Sequence, residues 1–362
     1  MISSIKWVEL KSHLVTLAVL VVLILLLIWF SSYPGAVERF YSNGLYPVVC
    51  HCFHPVFNLF PFSIGDILYV LVVIGLIYLF VKLLQALIRK QWQQAASLTL
   101  GTVNGTLVAY LVFYLFWGLN YYRPEAIERL HLPDTAYTAA DLKAVTARLI
   151  DSANVCRSRL VQSDWYRSND QIYQQAIKDQ AQLSTDDRAF NNYGAKAKSS
   201  LLTPVINYLG TSGYYNPFTS ESQVNYHMPV FLKPFVTCHE LSHQAGFAPE
   251  DEANFVGFLT ASRSKDNFFR YSAYYEGVEE FMFALNLQDS LSRKELRKRI
   301  SPQVISDFKA ERKYWLKYQG QIERISGVFY DNFLKANNQP QGLKTYNRMV
   351  LLIMAYRKKH EL

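Results

Sequence analysis

Cysteine is scarce in this sequence, which contains only 4 cysteines in 362 residues. Small secreted domains that depend on disulfides carry many more, at regular spacings. Cys50 and Cys52 are separated by one residue, which is too close for an unstrained bridge. The spacing leaves open a single bridge between Cys156 and Cys238. A scaffold held together by disulfides is therefore excluded.

Charged residues are also few, at 18% of the chain, with a formal net charge of +8. The excess of basic residues lies in the C-terminal half, notably at 294–299 and 312–317. No nucleic-acid-binding motif, internal repeat or low-complexity run accompanies them. We interpret these residues as a solvated helix surface, with attraction to anionic lipid headgroups as the alternative. The sequence thus predicts no nucleic-acid partner.

Long apolar runs, by contrast, are abundant before residue 124. The runs at about 14–30, 67–88 and 98–121 each have the length of a bilayer span. The first run is longer than the apolar core of a typical signal peptide, and no obvious cleavage site follows it. The sequence therefore predicts a membrane domain with three transmembrane helices at residues 1–123, in a multi-pass protein of the cell membrane.

Basic residues at the ends of these runs predict the orientation of the chain. Lys6 and Lys11 precede the first run, and Arg89 and Lys90 follow the second. By the positive-inside rule, both of these flanks are cytoplasmic. Three spans then place residues 124–362 outside the cytoplasm, where we expect a separate extracytoplasmic domain.

The link between the first two spans, residues 31–66, is predicted to lie outside as well. It contains Cys50-His51-Cys52 and His54, which are residue types that bind metals. Their spacing does not match a zinc knuckle, so we interpret them as incidental residues near the membrane interface.

The remainder of the chain has a mostly helical pattern. Helices are predicted at about 138–160, 170–183, 196–209, 232–245, 250–262, 267–287, 293–318, 321–336 and 342–359, with a break at Pro302 as an alternative for the helix at 293–318. The stretch Gly213–His227 breaks the helical period, and a short strand is predicted at 223–226. The predicted fold class is therefore mainly α, with N-terminal transmembrane helices followed by a helical domain that contains a small β element.

The most informative motif is the H-E-x-x-H at residues 239–243. Residues four apart lie on one face of a helix, so His239 and His243 can bind one Zn²⁺. Glu240 is then close enough to take a proton from a water molecule that the metal activates. The helix is expected to end at Gly246, a residue type that favours helix C-termini.

An acidic residue on the next helix is expected to complete a His₂Glu site with a fourth position open for water. We prefer Glu250, because its i,i+4 relation to Asn254 would let both residues face the histidines. Glu252 is a second candidate, although it points about 200° further round the helix. A third possibility is a glutamate of the helix predicted at 267–287, namely Glu276, Glu279 or Glu280.

This segment resembles the zincin metallopeptidases, specifically the Glu-ligand branch that includes thermolysin and the membrane-bound heat-shock and prenyl-protein proteases. In that branch the third ligand lies in an E-x-x-x-D pattern on a second helix, and the Asp hydrogen-bonds a ligand His. Glu250 and Asn254 match this pattern, with Asn in place of Asp. The interval from His243 to Glu250 is shorter than is usual in that branch.

The resemblance to zincins implies zinc as the cofactor and a helical zincin-like domain. It also implies that an edge strand before the metal helix binds an extended peptide. A tyrosine or histidine that stabilises the oxyanion is a further implication. The candidates for this role are Tyr271, Tyr274 and Tyr275.

The whole chain also resembles an uncharacterised family of bacterial membrane proteins, a domain of unknown function that combines N-terminal membrane helices with a zincin-like motif. The resemblance is strongest at 210–258, including the run from Ser212 to Thr219. It implies the architecture but no substrate.

These observations predict a membrane-anchored zinc metalloprotease that hydrolyses peptides or proteins at the outer face of the membrane. One alternative is a zinc-stabilised, non-catalytic peptide-binding or sensor protein. Another is a metal-dependent amidase that acts on envelope components. The motif specifies an activated water rather than the acyl group that it attacks, so neither the substrate nor the oligomeric state follows from the sequence.

Overall fold

The computed structural model describes residues 2–133, 136–340, 342 and 348–360. It confirms the predicted fold class, which is mainly α with one small sheet. The chain forms two compact units. The first comprises Met1–Val49, Ile64–Arg123 and Pro217–Thr219, and the second comprises Cys50–Ser63, Pro124–Asn216 and Ser220–Leu362.

The first unit consists of apolar helices and short connecting turns. Its elements are α1 (Ile2–Ser31), α2 (Pro34–Ala36), a π-helix (Val37–Leu45), the first turn of α3 (Tyr46–Phe57), α4 (Ile64–Ile88), α5 (Trp92–Phe116) and a 3₁₀-helix (Gly118–Tyr122). Among the described residues, three helical segments are long and apolar enough to cross a membrane, namely Val8–Ser31, Ile64–Ile88 and Trp92–Phe116. This finding supports an association of the chain with a membrane.

The third of these helices differs from its predicted position. It begins at Trp92 rather than near residue 98, and it ends at Phe116 rather than near residue 121. Trp117 leaves the helical conformation with φ −159°, and the chain continues as a 3₁₀-helix. Asn120 stabilises this turn because its side chain bonds both the Trp117 carbonyl and the Ser42 hydroxyl.

The second unit is built mainly from helices. They are the rest of α3, α6 (Ala126–Arg129), α7 (Ala139–Ser158), a 3₁₀-helix (Gln162–Tyr166), α8 (Asn169–Asp186), α9 (Thr203–Ile206), a second 3₁₀-helix (Val230–Leu232), α10 (Lys233–Gln244), α11 (Glu250–Ser262), α12 (Asn267–Gln288), α13 (Ser290–Arg297), α14 (Pro302–Leu316), α15 (Gln321–Ala336) and α16 (Arg348–His360). The start of the helix predicted at 342–359 falls partly outside the described residues. The helix predicted at 293–318 is divided into α13 and α14, because Pro302 begins a new helix that is capped by Ser301.

The sheet of the second unit has the strand order β1-β3-β2, formed by β1 (Ala197–Ser199), β2 (Gly213–Asn216) and β3 (Glu221–Val224). β1 runs parallel to β3, and β2 runs antiparallel to it. The prediction of a single helix at 196–209 is therefore wrong, since this segment contains β1 and the short α9. Pairing of Ala197 with Ser222 and of Ser199 with Val224 outweighs the local helical preference of the segment.

Helices α10 and α11 lie in the core of the second unit, packed against α8, α12 and the sheet. Every residue of α11 from Glu250 to Ala261 is buried, which is typical of a central helix. Gly257 allows the two helices to approach closely, because a Cβ atom there would lie 2.9 Å from the backbone nitrogen of His239. The H-E-x-x-H helix is thus held against the helix that carries Glu250.

The segment Cys50–Ser63 packs within the second unit, although it lies in sequence between two apolar helices. Lys198 of β1 donates to the carbonyls of Phe57 and Phe62, at 2.7 and 3.0 Å, and pairs with the buried Glu221. His54 contacts the Tyr193 carbonyl and the Ser220 hydroxyl through its two ring nitrogens. Both nitrogens of His54 are therefore engaged in hydrogen bonds that hold this segment.

The cysteines of this segment and of the core are free thiols. The free cysteines are Cys50, Cys52, Cys156 and Cys238. The bridge that the spacing left open between Cys156 and Cys238 is not formed.

Candidate metal centre

The position of the candidate metal centre depends on how helix α10 starts and ends. Pro234 lies in its first turn, where the missing N–H costs no hydrogen bond. The helix ends at Gln244, and Gly246 follows with φ +88°, a left-handed conformation that favours glycine. The chain then turns through Phe247 and enters α11 at Glu250, so that the first turn of α11 faces the last turn of α10.

Three side chains form a small triangle at this junction, through the Nε2 atoms of two histidines and both carboxylate oxygens of Glu250. Nε2 of His239 lies 3.1 Å from Nε2 of His243. Oε2 of Glu250 lies 3.4 Å from Nε2 of His239, and Oε1 of Glu250 lies 3.5 Å from Nε2 of His243. Two ligand atoms bound tetrahedrally to zinc at about 2.0–2.1 Å are separated by about 3.3–3.4 Å. The triangle therefore has the dimensions that three zinc ligands require.

The second ring nitrogen of His243 has a defined partner. Nδ1 lies 2.8 Å from the carbonyl oxygen of Phe247, to which it can only donate. In the neutral ring this leaves a lone pair on Nε2, the atom that faces Glu250. A backbone contact made by the turn after α10 thus orients one of the two histidines for metal binding.

His239 is held differently. Its side chain is 12% exposed, and its Nδ1 atom is buried without a well-oriented hydrogen bond from the described residues. Burial lowers its pKa, although neighbouring Glu250 and Asn254 act in the opposite direction. Asn254, which lies on the same helix as Glu250, is thus a neighbour of His239. A neutral imidazole is the form that binds metals.

The charges of Glu250 and His243 depend on one another. Burial alone would lower the pKa of His243, but the neighbouring Glu250 carboxylate raises it to about 9. Burial alone would raise the pKa of Glu250, but the two histidines hold it well below its usual range. A buried anion next to two imidazoles is a donor set suited to a divalent cation.

Glu240 lies beside the triangle, with its ligand atom within 4.8 Å of those of His239 and His243. Burial raises the pKa of its carboxyl group to about 8. Its Oε2 atom is buried and has no hydrogen-bond partner among the described residues. A buried acceptor without a partner is costly, so its position calls for a ligand or a water molecule.

The edge strand β2 approaches this carboxyl group. A Cβ atom at Gly213 would lie 2.5 Å from Oε1 of Glu240 and 2.9 Å from the carbonyl oxygen of Gln223. Only glycine permits this approach without displacing one of the neighbours. The sequence analysis did not identify Gly213 as a site residue, since its role depends on contacts with a distant helix.

The remaining acidic candidates for the third ligand lie elsewhere. Glu252 is buried in an ion pair with Arg129 and accepts a hydrogen bond of 2.6 Å from the Ala126 backbone. Glu276, Glu279 and Glu280 of α12 form an acidic group with Glu311 of α14. Of the candidates, Glu250 is thus the one that the structure places in contact with both histidines.

The three tyrosines considered for oxyanion stabilisation contact residues other than those of the candidate metal centre. Tyr271 donates to Asp307, Tyr275 donates to Glu311 at 2.5 Å, and Tyr274 packs against Phe258. Among the described residues, Tyr330 of α15 contacts the proposed ligand Glu250, because its hydroxyl group donates to Oε1 of that carboxylate. Among 25 tyrosines in the sequence, no local pattern distinguishes it.

Comparison with known proteins identifies a family without assigning an activity. The profile of the family described as "Protein of unknown function (DUF3810)" matches residues 41–354. No curated protein and no solved structure matches the chain. The matched region covers most of the sequence and includes every residue of the candidate metal centre, and the chain therefore belongs to this family.

Proposed function

We propose that the protein is a membrane-anchored zinc metallopeptidase in which His239, His243 and Glu250 hold Zn²⁺ and Glu240 is the general base. The observation that carries this proposal is the triangle of three side chains, whose neighbouring donor atoms lie 3.1–3.5 Å apart, with a buried carboxyl group beside it. Its dimensions fit zinc, and its donor set matches the His₂Glu sites of zinc hydrolases.

A zinc ion in this site would polarise a peptide carbonyl group and lower the pKa of a water molecule. Glu240 has a pKa of about 8 in the metal-free site, and a cation nearby favours its ionised form. The ionised carboxylate accepts a proton from water at Oε2 as the C–O bond forms. It then delivers this proton to the leaving amine as the C–N bond breaks, so that it returns unprotonated to its starting state.

The residues around the proposed ligands fit a catalytic zinc site better than a structural zinc site. Structural zinc sites are closed by four protein ligands, commonly cysteines and histidines. The neighbouring Cys238 does not close this one, because its sulfur is not among the clustered ligand atoms of His239, Glu240 and His243. Glu240 would have no role in a structural site, yet its carboxyl group is held there without a hydrogen-bond partner for Oε2 among the described residues.

The sheet favours a peptide as the substrate. β2 is an edge strand, and Gly213 at its start lies against Glu240. An extended peptide that pairs with such an edge would bring a backbone carbonyl group towards the metal centre. With the predicted topology, the substrates are peptides or proteins at the outer face of the membrane.

The first experiment measures metal content. The full chain is purified in mild detergent, supplied with zinc and analysed for bound metal beside His243→Ala, Glu250→Ala and Glu240→Gln. We expect about one zinc per chain in the wild type and in Glu240→Gln, and a loss of zinc in the other two. The control is Glu295→Gln, since this side chain is 64% exposed and pairs with Lys143. Absence of zinc from the wild type would refute the metal centre.

The second experiment separates the possible activities. Wild type and Glu240→Gln are incubated with a peptide library and, separately, with envelope amide compounds, and the products are identified by mass spectrometry. Peptide products that form only with the wild type support a peptidase. Products from the envelope compounds alone would replace the peptidase with an amidase. Zinc binding without any product from either set would favour a non-catalytic binding protein.

A further inference from the structure

Helix α15 presents an apolar face to the outside of the second unit. Ile322, Ile325 and Phe329 are 58%, 57% and 74% exposed. These positions are spaced i, i+3 and i+7, so they share one face of the helix. Val328 and Phe333 border the same face and are also exposed. A contiguous set of large apolar side chains on a protein surface marks an interaction site.

The opposite face of α15 lies on the candidate metal centre. Tyr330 donates to Glu250, and Leu334 is the one residue of this helix that is fully buried. Near the other end, a Cβ atom at Gly210 would lie 3.4 Å from the Cγ atom of Glu323. After the helix, the side-chain oxygen of Gln339 accepts a hydrogen bond of 3.3 Å from the Glu250 backbone. The helix therefore lies between the metal centre and the exterior.

We propose that the outer face of α15 binds the surface of a lipid bilayer. The chain carries three helices that are long and apolar enough to cross a membrane, so a bilayer is an apolar phase that this chain is expected to contact. The exposed cations Lys313 and Lys317 lie at the end of α14, the helix that precedes α15 in the sequence. A helix with one apolar face and nearby cations binds at the interface of anionic membranes.

A second copy of the chain fits this face less well. A stable interface between proteins takes about 20–30 residues on each side. The apolar face of α15 offers five large side chains on a single helix. Insertion into a bilayer requires no more than one helix face. It also requires no second protein molecule, since α15 belongs to the same chain as the three helices that are long and apolar enough to cross a membrane.

Lipid binding by α15 would define the substrate class of the proposed peptidase. Glu250 contacts this helix directly through Tyr330, so the metal centre would lie about one helix diameter, roughly 10 Å, from the lipid-bound face. The substrates would then be peptide segments close to the membrane surface. This consequence rests on the proposed function, whereas lipid binding by α15 does not.

The test uses the full chain in nanodiscs of mixed neutral and anionic phospholipids. Cys52 is replaced by Ser, because it is the exposed cysteine, whereas Cys50, Cys156 and Cys238 are buried. A single cysteine is then introduced by Phe329→Cys or by Arg324→Cys and labelled with an environment-sensitive fluorophore. Arg324 is the matched control, since it is exposed on the same helix but lies about 140° from Phe329.

Nanodiscs that contain a lipid with a nitroxide on its acyl chain supply the readout. We expect the label at 329 to be quenched at least about threefold more strongly than the label at 324, because an interfacial helix buries one face. Equal quenching at the two positions, or none, would overturn the proposal. Unquenched labels together with a cross-link between chains at position 329 would also overturn it, in favour of a second copy.

The fluorescence measurement does not depend on zinc. A protein that binds no zinc but shows selective quenching at position 329 would retain the lipid-binding surface and lose the proposed peptidase. A protein that binds zinc without this quenching would retain the metal centre and lose the lipid-binding surface. The Cys52→Ser protein without an introduced cysteine is treated with the same fluorophore and measures background labelling. Circular dichroism verifies that each variant is folded.

Discussion

The hydroxyl group of Tyr330 donates a hydrogen bond to Oε1 of Glu250, although the two residues lie 80 positions apart in the sequence. The same oxygen of Glu250 lies 3.5 Å from Nε2 of His243. A residue of α15 therefore fixes the carboxylate that α11 directs towards the histidines of α10. Groups that hold a metal ligand in place adjust its orientation and its affinity for the metal.

Replacement of Tyr330 by Phe is expected to weaken zinc binding. The ring and its packing against Phe333 are retained, but the hydrogen bond to the proposed ligand is lost. Loss of such a contact typically lowers metal affinity by about 10- to 100-fold. Competition with a chromophoric chelator measures the affinity, and Tyr166→Phe, at a residue that is 77% exposed, is the control. Equal zinc affinity in both variants would contradict the role of Tyr330.

Replacement of Gly213 by Ala is expected to impair hydrolysis and to leave zinc bound. The added Cβ atom would lie 2.5 Å from Oε1 of Glu240, so the carboxyl group must move, whereas its nearest neighbours include none of the three proposed ligands. Displacement of a catalytic group by about 1 Å can lower turnover by about 100-fold. Zinc content and turnover are measured together on the same preparation.

The control for this variant is Gly320→Ala, because a Cβ atom at Gly320 would have no neighbour within 4 Å. Its turnover should equal that of the wild type. A Gly213→Ala protein with normal turnover would show that the base lies elsewhere, and one that loses zinc would show that β2 supports the ligands themselves.

Zinc binding is expected to release protons and to strengthen as the pH rises from about 6 to about 9. The neighbouring Glu250 holds the pKa of His243 at about 9, so this ring is protonated at neutral pH in the metal-free protein. A histidine must lose its proton before it binds a metal. Below the pKa each unit of pH therefore changes the apparent affinity by about tenfold for each proton released.

Isothermal titration in buffers of different ionisation enthalpy counts the protons released on zinc binding. Glu240 has a pKa of about 8, so it contributes a second proton if the bound cation ionises it. We therefore expect Glu240→Gln to release fewer protons than the wild type while it still binds zinc. A zinc affinity that does not vary across this pH range would contradict the coupling of His243 with Glu250.

Replacement of Glu252 by Gln is expected to destabilise the fold rather than to remove a ligand. Glu252 forms a buried ion pair with Arg129, and removal of one partner would leave a buried charge uncompensated. The expected loss is about 3–5 kcal/mol of unfolding free energy. Thermal unfolding measures it, with Asp151→Asn as the control, because the Asp151–Arg299 pair is exposed and pairs of this kind contribute about 0–1 kcal/mol. An unchanged unfolding temperature would argue against this ion pair.

Several elements of the structure could be predicted from the sequence because their signals are local. The bounds of α11 and α15 agree with the predicted 250–262 and 321–336, since helical periodicity and the residues at the helix ends are contained within each segment. Two of the three apolar helices lie close to their predicted positions for the same reason. The segment at 196–209 contains β1 instead of a long helix, because its partner strand β3 lies more than twenty residues further along.

The sequence by itself determined the H-E-x-x-H helix, the acidic helix that follows it and the apolar segments, since each depends on residues within a few helical turns. The tertiary structure decided which carboxylate meets the two histidines, and it brought Gly213 and Tyr330 to Glu240 and Glu250. These contacts join residues that are distant in the chain. They depend on how helices and strands pack, and packing is a property of the whole second unit rather than of any one segment.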